Sequence, residues 1–380
     1  VSLTTARMPA WSLSNLARTP PAAGTRAPDE IDLDGVVRVF AESGAVGALV
    51  ALMQRALASA GGASEETRAE CARAASEVAW AMMFLGGLSP HFSAELHRLS
   101  ALRLLTQIVA SGSALLCGER VRDEAKLLIP VLRCIGNIVG SSRTLAAQGH
   151  ATPEHSTCAV AVAAVPGLLQ RLHSLLALGA PTALAAVVAA GDVAQSGGGG
   201  LSGLGAHRWL SMDSAWIVGL LAVAAHGDAN PDAAIVAAIA GGGFLSLLSH
   251  LLVEGSFDIS RRAAFALRNV VCGSAAAPAG STALDIIEAI IRCDVVPTFL
   301  QCVELFLSFS SFSFSSSSPL SFSLSLCLSL SLFLPPLSFS FSFSPSLHLP
   351  PFLLCWQALR SLHTRAARAR ARSLSLAPDC

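Results

Sequence analysis

The chain has 380 residues, with 25 Lys and Arg balanced by 25 Asp and Glu, so no net charge draws its whole surface to nucleic acid or an anionic membrane. Hydrophobic residues make up 53% and charged residues only 13%, a supply of small and aliphatic side chains able to bury a long core. Its ten Cys are scattered without a Cys-x-x-Cys pair, which excludes a zinc knuckle and a disulfide framework and fits a reducing compartment, cytosol or nucleus.

The opening, VSLTTARMPAWSLSN, lacks the charged, apolar and small-residue regions of a secretory leader, and reads as a fragment that begins inside a domain. From there two kinds of helical phrase alternate. Ala10 to Ala17, AWSLSNLA, is alanine-rich and centred on Trp11; Glu42 to Met53, ESGAVGALVALM, is a leucine-rich helix behind a Gly breaker. The alanine-rich kind returns at Ala79 to Gly86, Leu132 to Gly140, Ala215 to Ala222 and Ala264 to Gly273. The leucine-rich kind returns at Val162 to Leu176, Ala240 to Leu252 and Arg292 to Val303. Helical phrases recurring at roughly forty residues or more predict an all-α fold, an α-solenoid of armadillo or HEAT type. Two insertions, near 60–67 (AGGASEET) and 191–205 (GDVAQSGGGGLSGLG), are too rich in Gly and Ser to hold a helix and are expected to loop out. The glycine run is no phosphate loop, because no Lys-Ser or Lys-Thr follows it.

No constellation for catalysis or metal binding emerges. His150, His155 and Cys158 fall close together but lack a fourth ligand, and no Ser or Cys stands in a nucleophile signature. No enzyme activity, cofactor or metal site is therefore expected.

In WSLSN, Trp11 and Asn15 stand four apart, one above the other on a helix face. This phrase resembles the armadillo domain of the importin-α family, in which a Trp-x-x-x-Asn ladder lines a concave groove. The resemblance runs in order from about Pro9 to Val303. VAWAMMFLGG keeps Trp80, with Phe84 at the Asn place; IPVLRCIGNIVGSS has Arg133 for Trp and keeps Asn137. SAWIVGLLAVAAHG keeps Trp216, with Leu220 at the Asn place, and RRAAFALRNVVCGS has Phe265 for Trp and keeps Asn269. What the resemblance implies is an armadillo superhelix over 1–304, working in cytoplasm and nucleus, that binds the nuclear localisation signal of cargo proteins. An Asn carboxamide can both donate to and accept from a peptide backbone, while indole faces sandwich the stems and cations of Lys and Arg. The implied peptide-binding residues are Trp11, Asn15, Trp80, Arg133, Asn137, Trp216, Phe265 and Asn269. Importin-β is an implied second partner, through a strongly basic segment that would have to precede Val1; nucleic acid and membrane are not. Packing is the competing role for Trp80 and Trp216, which lack their Asn, and a generic armadillo scaffold with no transport activity is the competing function.

The stretch Leu305 to Leu354 differs from everything before it. Of its 50 residues, 48 are Phe, Ser, Leu or Pro, the residues whose codons can consist of pyrimidines alone. A membrane span would favour continuous Leu, Ile, Val and Ala, whereas here Ser falls at nearly every second position. The tract ends at Cys355-Trp356-Gln357, as a translated polypyrimidine tract before a splice acceptor would end. It therefore reads as a retained intron, followed over 355–380 by a resumed repeat fragment and an Arg-rich tail. A real hydrophobic anchor is the competing reading. Sequencing of the spliced transcript is expected to show that the codons for Leu305 to Leu354 are removed; a mature message that keeps them overturns the reading.

Overall fold

The computed structural model describes residues 3–18, 33–111, 121–147, 153–189, 203–224, 231–276, 281–293, 295, 297 and 298. The tract 305–354 and the residues after it lie outside them. Among the described residues every regular element is an α-helix. In chain order, α1 (Leu3–Arg18) is followed by the unit α2 (Leu33–Glu42), α3 (Ala45–Ala60) and α4 (Glu65–Leu88). The next units are α5 (Pro90–Arg98), α6 (Ala101–Ser111) and α7 (Val121–Ala147), and then α8 (Pro153–Ala163), α9 (Leu168–Ala177) and α11 (Gly203–Ala224), with α10 (Pro181–Ala189) inserted between the last two. A fourth unit is α12 (Pro231–Gly241), α13 (Phe244–Glu254) and α14 (Phe257–Ala276); α15 (Ser281–Arg292) packs against α12 as the start of a further unit.

Two observations make these units repeats of one design. The helix closing each unit packs against the helix closing the next: α1 on α4, α4 on α7, α7 on α11 and α11 on α14. The turn between the first two helices of each unit passes through a left-handed residue, Gly44 (φ 68°), Ser100 (φ 61°), Gly167 (φ 79°) and Gly243 (φ 79°). Glycine takes that conformation without steric cost, and at Ser100 the chain accepts a penalty of roughly 1–2 kcal/mol. The fold is thus an armadillo-type α-solenoid, in which each unit buries its apolar face against its neighbours.

The core is continuous along the stack. Met82 and Leu85 of α4, Leu128, Leu132, Ile135 and Ile138 of α7, Leu210 and Leu221 of α11, and Leu267 and Val270 of α14 are all buried. Each such side chain contributes about 1.5–3 kcal/mol through removal from water. The stretch Glu124 to Ser142 of α7 is long and apolar enough to cross a membrane, yet it packs between α4 and α11 and serves as a core helix. Pro130 lies inside it and leaves the Lys126 carbonyl without its helical donor. Ser76 Oγ of α4 donates to that carbonyl at 2.7 Å, so the proline becomes a point of attachment between two units.

The first Gly/Ser-rich insertion is shorter than its composition suggested. Only Gly61 to Ser64 separate α3 from α4, and Glu65 to Thr67 are helical. The physical reason is Ser64, whose Oγ accepts from the Thr67 amide at 3.3 Å, with Glu65 and Glu66 in the first turn facing the positive end of the helix dipole. In the second insertion, Gly203 to Gly205 belong to α11, and 191–202 lie outside the described residues.

Candidate functional site

The ladder residues all fall on the five closing helices: Trp11 and Asn15 on α1, Trp80 and Phe84 on α4, Arg133 and Asn137 on α7, Trp216 and Leu220 on α11, Phe265 and Asn269 on α14. The first of each pair is a rung and the residue four later is its partner, and both share a helix face because 3.6 residues make a turn.

The rings of two rungs, Trp216 and Phe265, pack backwards. A Cβ on Gly136, three residues after Arg133, would overlap the ring of Trp216; a Cβ on Gly219, three after Trp216, would stand 2.6 Å from Phe265 Cδ1. Glycine at these places lets the ring of the following helix close onto the helix backbone. The partners reach back in the same register. Asn137 Nδ2 donates to the Met83 carbonyl at 2.9 Å, and Met83 is three residues after Trp80. Asn269 Nδ2 donates to the Gly219 carbonyl at 3.1 Å. Both amides thus tie one closing helix to the one before it, and Asn269 is only 4% exposed. Where the Asn is replaced, apolar contact takes over. Phe84 stacks on Trp80 with centroids 5.7 Å apart, and Leu220 lies against Gly140.

A third register position, which the Trp-x-x-x-Asn pattern does not contain, carries the charge. On α4, α11 and α14 the residue three before the rung lies toward the previous rung, whereas on α7 that place holds Pro130. Asp213, three before Trp216, accepts from Arg133 Nε at 2.9 Å and is buried. Arg262, three before Phe265, places its guanidinium carbon 5.2 Å from the centre of the Trp216 ring. Glu77, three before Trp80, lines a cleft of about 490 Å³ together with Trp11, Asn15, Trp80 and Arg133. Sequence reasoning missed all three, and it missed Trp209 of α11, over which the Arg133 guanidinium stacks at 4.5 Å. Their signal in the sequence is the i−3 spacing alone.

The electrostatics differ from rung to rung. Burial pushes the Asp213 carboxyl up to about 6, against the pull of Arg133 and, more weakly, of Arg262. Burial also lowers Arg262, with Asp213 opposing that change. Around Trp209 and Trp216, then, two guanidiniums share one carboxylate and cover two indoles. In the α1–α4 cleft the pattern is reversed: Trp11 is 49% exposed, and burial raises the Glu77 carboxyl, offset in part by Arg7. The cleft offers aromatic walls and an acid that a cation would stabilise.

A second cavity, about 530 Å³, lies between α6 and the turn after α8, lined by His97, Arg103, Thr106, Gln107 and Val165. It contains no rung residue and no acid. Among the described residues no three His, Cys, Asp or Glu gather as a metal site. Cys158 is buried with its thiol pushed up to about 11, as Cys134 is to about 12, chiefly by desolvation, so both are inert packing groups at neutral pH. His150 lies outside the described residues.

No protein-family model and no curated protein sequence matches the chain. Among solved structures, an engineered protein from a structural genomics consortium is 17% identical, with a TM-score of 0.44, over 79% of this chain and 83% of that one. A designed armadillo repeat protein, solved in complex with the peptide (KR)4, is 14% identical, with a TM-score of 0.41, over 85% of this chain and 99% of that one. At these values the likeness carries no argument about function, and the armadillo architecture stands on the helix packing described above.

The raised Asp213 carboxyl has a consequence for stability. Its folded value, about 6, lies above the ordinary 3.8, so its contribution is fully present below about pH 4 and is lost as pH rises through about 6. The shift corresponds to roughly 3 kcal/mol at full effect. Denaturant unfolding is expected to show the wild type gaining stability relative to Asp213→Asn when pH is lowered from about 7 to about 4. Parallel pH profiles for the two proteins would contradict this.

Proposed function

We propose that this chain is an importin-α-like adaptor that holds an extended basic peptide, a nuclear localisation signal of a cargo protein, along its rung residues, and that it acts between cytoplasm and nucleus. One observation carries the proposal: the cleft between α1 and α4 combines the exposed indole of Trp11, the ring of Trp80, the amide of Asn15 and the partly desolvated carboxyl of Glu77. A lysine or arginine of the peptide seated there lays its aliphatic stem between the rings and its cation against Glu77. Cation–π contact contributes about 0.5–2 kcal/mol, and the ion pair adds to it where water is excluded. Along the rest of the row the peptide runs past Arg133 and Asn137, Trp216, Phe265 and Asn269. There each amide already donates one N–H to backbone, which leaves the half-buried Asn137 a second N–H and its carboxamide oxygen for the peptide, while Asn269 is buried. Recruitment of importin-β would require, in addition, a strongly basic segment ahead of Val1.

A second reading, a generic armadillo scaffold without transport activity, is favoured by a specific observation: the rungs of α7 and α11 are satisfied within the chain by Asp213 and Arg262. The two readings separate at the cleft. Titration of a fluorescent lysine-rich peptide is expected to show affinity falling about 5- to 30-fold on Glu77→Gln and again on Trp11→Ala, equivalent to about 1–2 kcal/mol each. Wild-type affinity should also weaken on acidification, because the bound cation favours the carboxylate and binding at low pH must first expel the Glu77 proton. Unchanged affinity in both variants would leave the scaffold reading.

A further inference from the structure

The same i−3 position holds an acid at α4 (Glu77), an acid already paired at α11 (Asp213) and a cation at α14 (Arg262). That last substitution sets what the far end of the row can accept. The guanidinium of Arg262 lies over Trp216, where an incoming lysine or arginine would have to stack, and Arg133 does the same over Trp209. Both indoles of α11 therefore carry resident cations. The backbone clamps are filled as well: Leu220 stands where an amide is wanted, and the Asn269 amide donates to Gly219. Arg262 is half-buried near Asp213, so moving it aside costs its stacking and its attraction to Asp213, offset in part by the bond to water that its buried, unpartnered Nε would gain.

Resting on the peptide-binding reading above, we infer that Arg262 closes the α11–α14 part of the row to basic side chains, so that the protein selects peptides with one basic cluster, seated between α1 and α4, and gains nothing from a second. A cation arriving at Trp216 meets the guanidinium of Arg262 on the ring and a carboxylate already paired with Arg133, whereas the α1–α4 cleft, which Arg133 also lines, adds the Glu77 carboxyl while the Arg133 charge is offset by Asp213. Arg262 is a specificity residue: it is not expected to touch the bound peptide, and it excludes by occupying a ring face.

The test compares a peptide with one lysine cluster and a peptide with two, joined by a Gly-Ser spacer, on the full chain, the Arg262→Glu variant and the Arg262→Gln variant. Circular dichroism checks that each protein is folded. On the wild type the two peptides should bind within about twofold, the statistical advantage of a second cluster at one site. Arg262→Glu should tighten the two-cluster peptide about tenfold or more while leaving the one-cluster peptide unchanged. Should Arg262→Glu fail to fold, Arg262→Gln carries the test, with a gain of about threefold or more confined to the two-cluster peptide. Wild-type preference for two clusters by about tenfold, or no gain in the folded variant, overturns the inference. If neither peptide binds the wild type, the cleft reading has failed on its own; binding that then appears only in the Arg262 variants still supports closure, and its absence overturns it.

Discussion

The structure depends on how one closing helix sits on the next. A ring drops onto a glycine of the preceding helix at two steps, Trp216 on Gly136 and Phe265 on Gly219, and an amide donates back at two, Asn137 to Met83 and Asn269 to Gly219, so that both contacts coincide where α14 meets α11. Each contact takes its register from the helical repeat, so the rung, the partner and the residue three before fall in line from unit to unit. An aromatic ring against bare backbone gives close packing over a large apolar area, and an amide donating to a carbonyl adds roughly 0.5–1.5 kcal/mol. The residues that would recognise a peptide are thus the residues that hold the solenoid together.

That shared duty explains why the row is open at one end and filled at the other. The position three before the rung lies toward the previous rung on α4, α11 and α14; on α7 it is Pro130. When it holds Glu77 opposite Trp11 the result is a cleft suited to a cation; when it holds Asp213 opposite Arg133 the charges cancel inside the protein. When it holds Arg262 opposite Trp216 the protein has placed its own cation on the ring. One geometry gives three outcomes, decided by one side chain each. The Arg133–Asp213 pair is not simple stabilisation, since burial of the carboxylate costs free energy that the partner only partly returns. Its clearest effect is orientation, holding the Arg133 guanidinium over Trp209.

Much of this was legible from local pattern. The alternation of alanine-rich and leucine-rich phrases matches the closing helices and the pairs between them except at α5 and α6, which carry no Gly or Pro breaker at their turn but Ser100, and the breakers ahead of the other leucine-rich helices are the left-handed residues Gly44, Gly167 and Gly243. Trp11 and Asn15, or Arg133 and Asn137, announce a shared face because they lie one helical turn apart. What local pattern does not contain is the partner across the stack. Arg133 meets Asp213 and Trp209, and Arg262 meets Trp216, over long stretches of sequence, and the i−3 position gains meaning only once the helices are stacked. The Asn residues were read as peptide clamps, and nothing in their sequence shows that the amides of Asn137 and Asn269 are engaged with Met83 and Gly219. Composition placed Glu65 to Thr67 in a loop because it weighs Gly and Ser without weighing a cap; Ser64 turns the same letters into a helix start.

The most direct measurement is a double-mutant cycle on the ring-in-glycine contact, with unfolding free energies for Gly136→Ala, Trp216→Ala and the pair. If the stack rests on this contact, Gly136→Ala should destabilise the wild type by about 1–3 kcal/mol through overpacking. In the Trp216→Ala background the same change should be neutral or stabilising by up to about 1 kcal/mol, the ordinary preference of a helix for alanine. An equal effect of Gly136→Ala in both backgrounds would contradict the packing on which the rest depends.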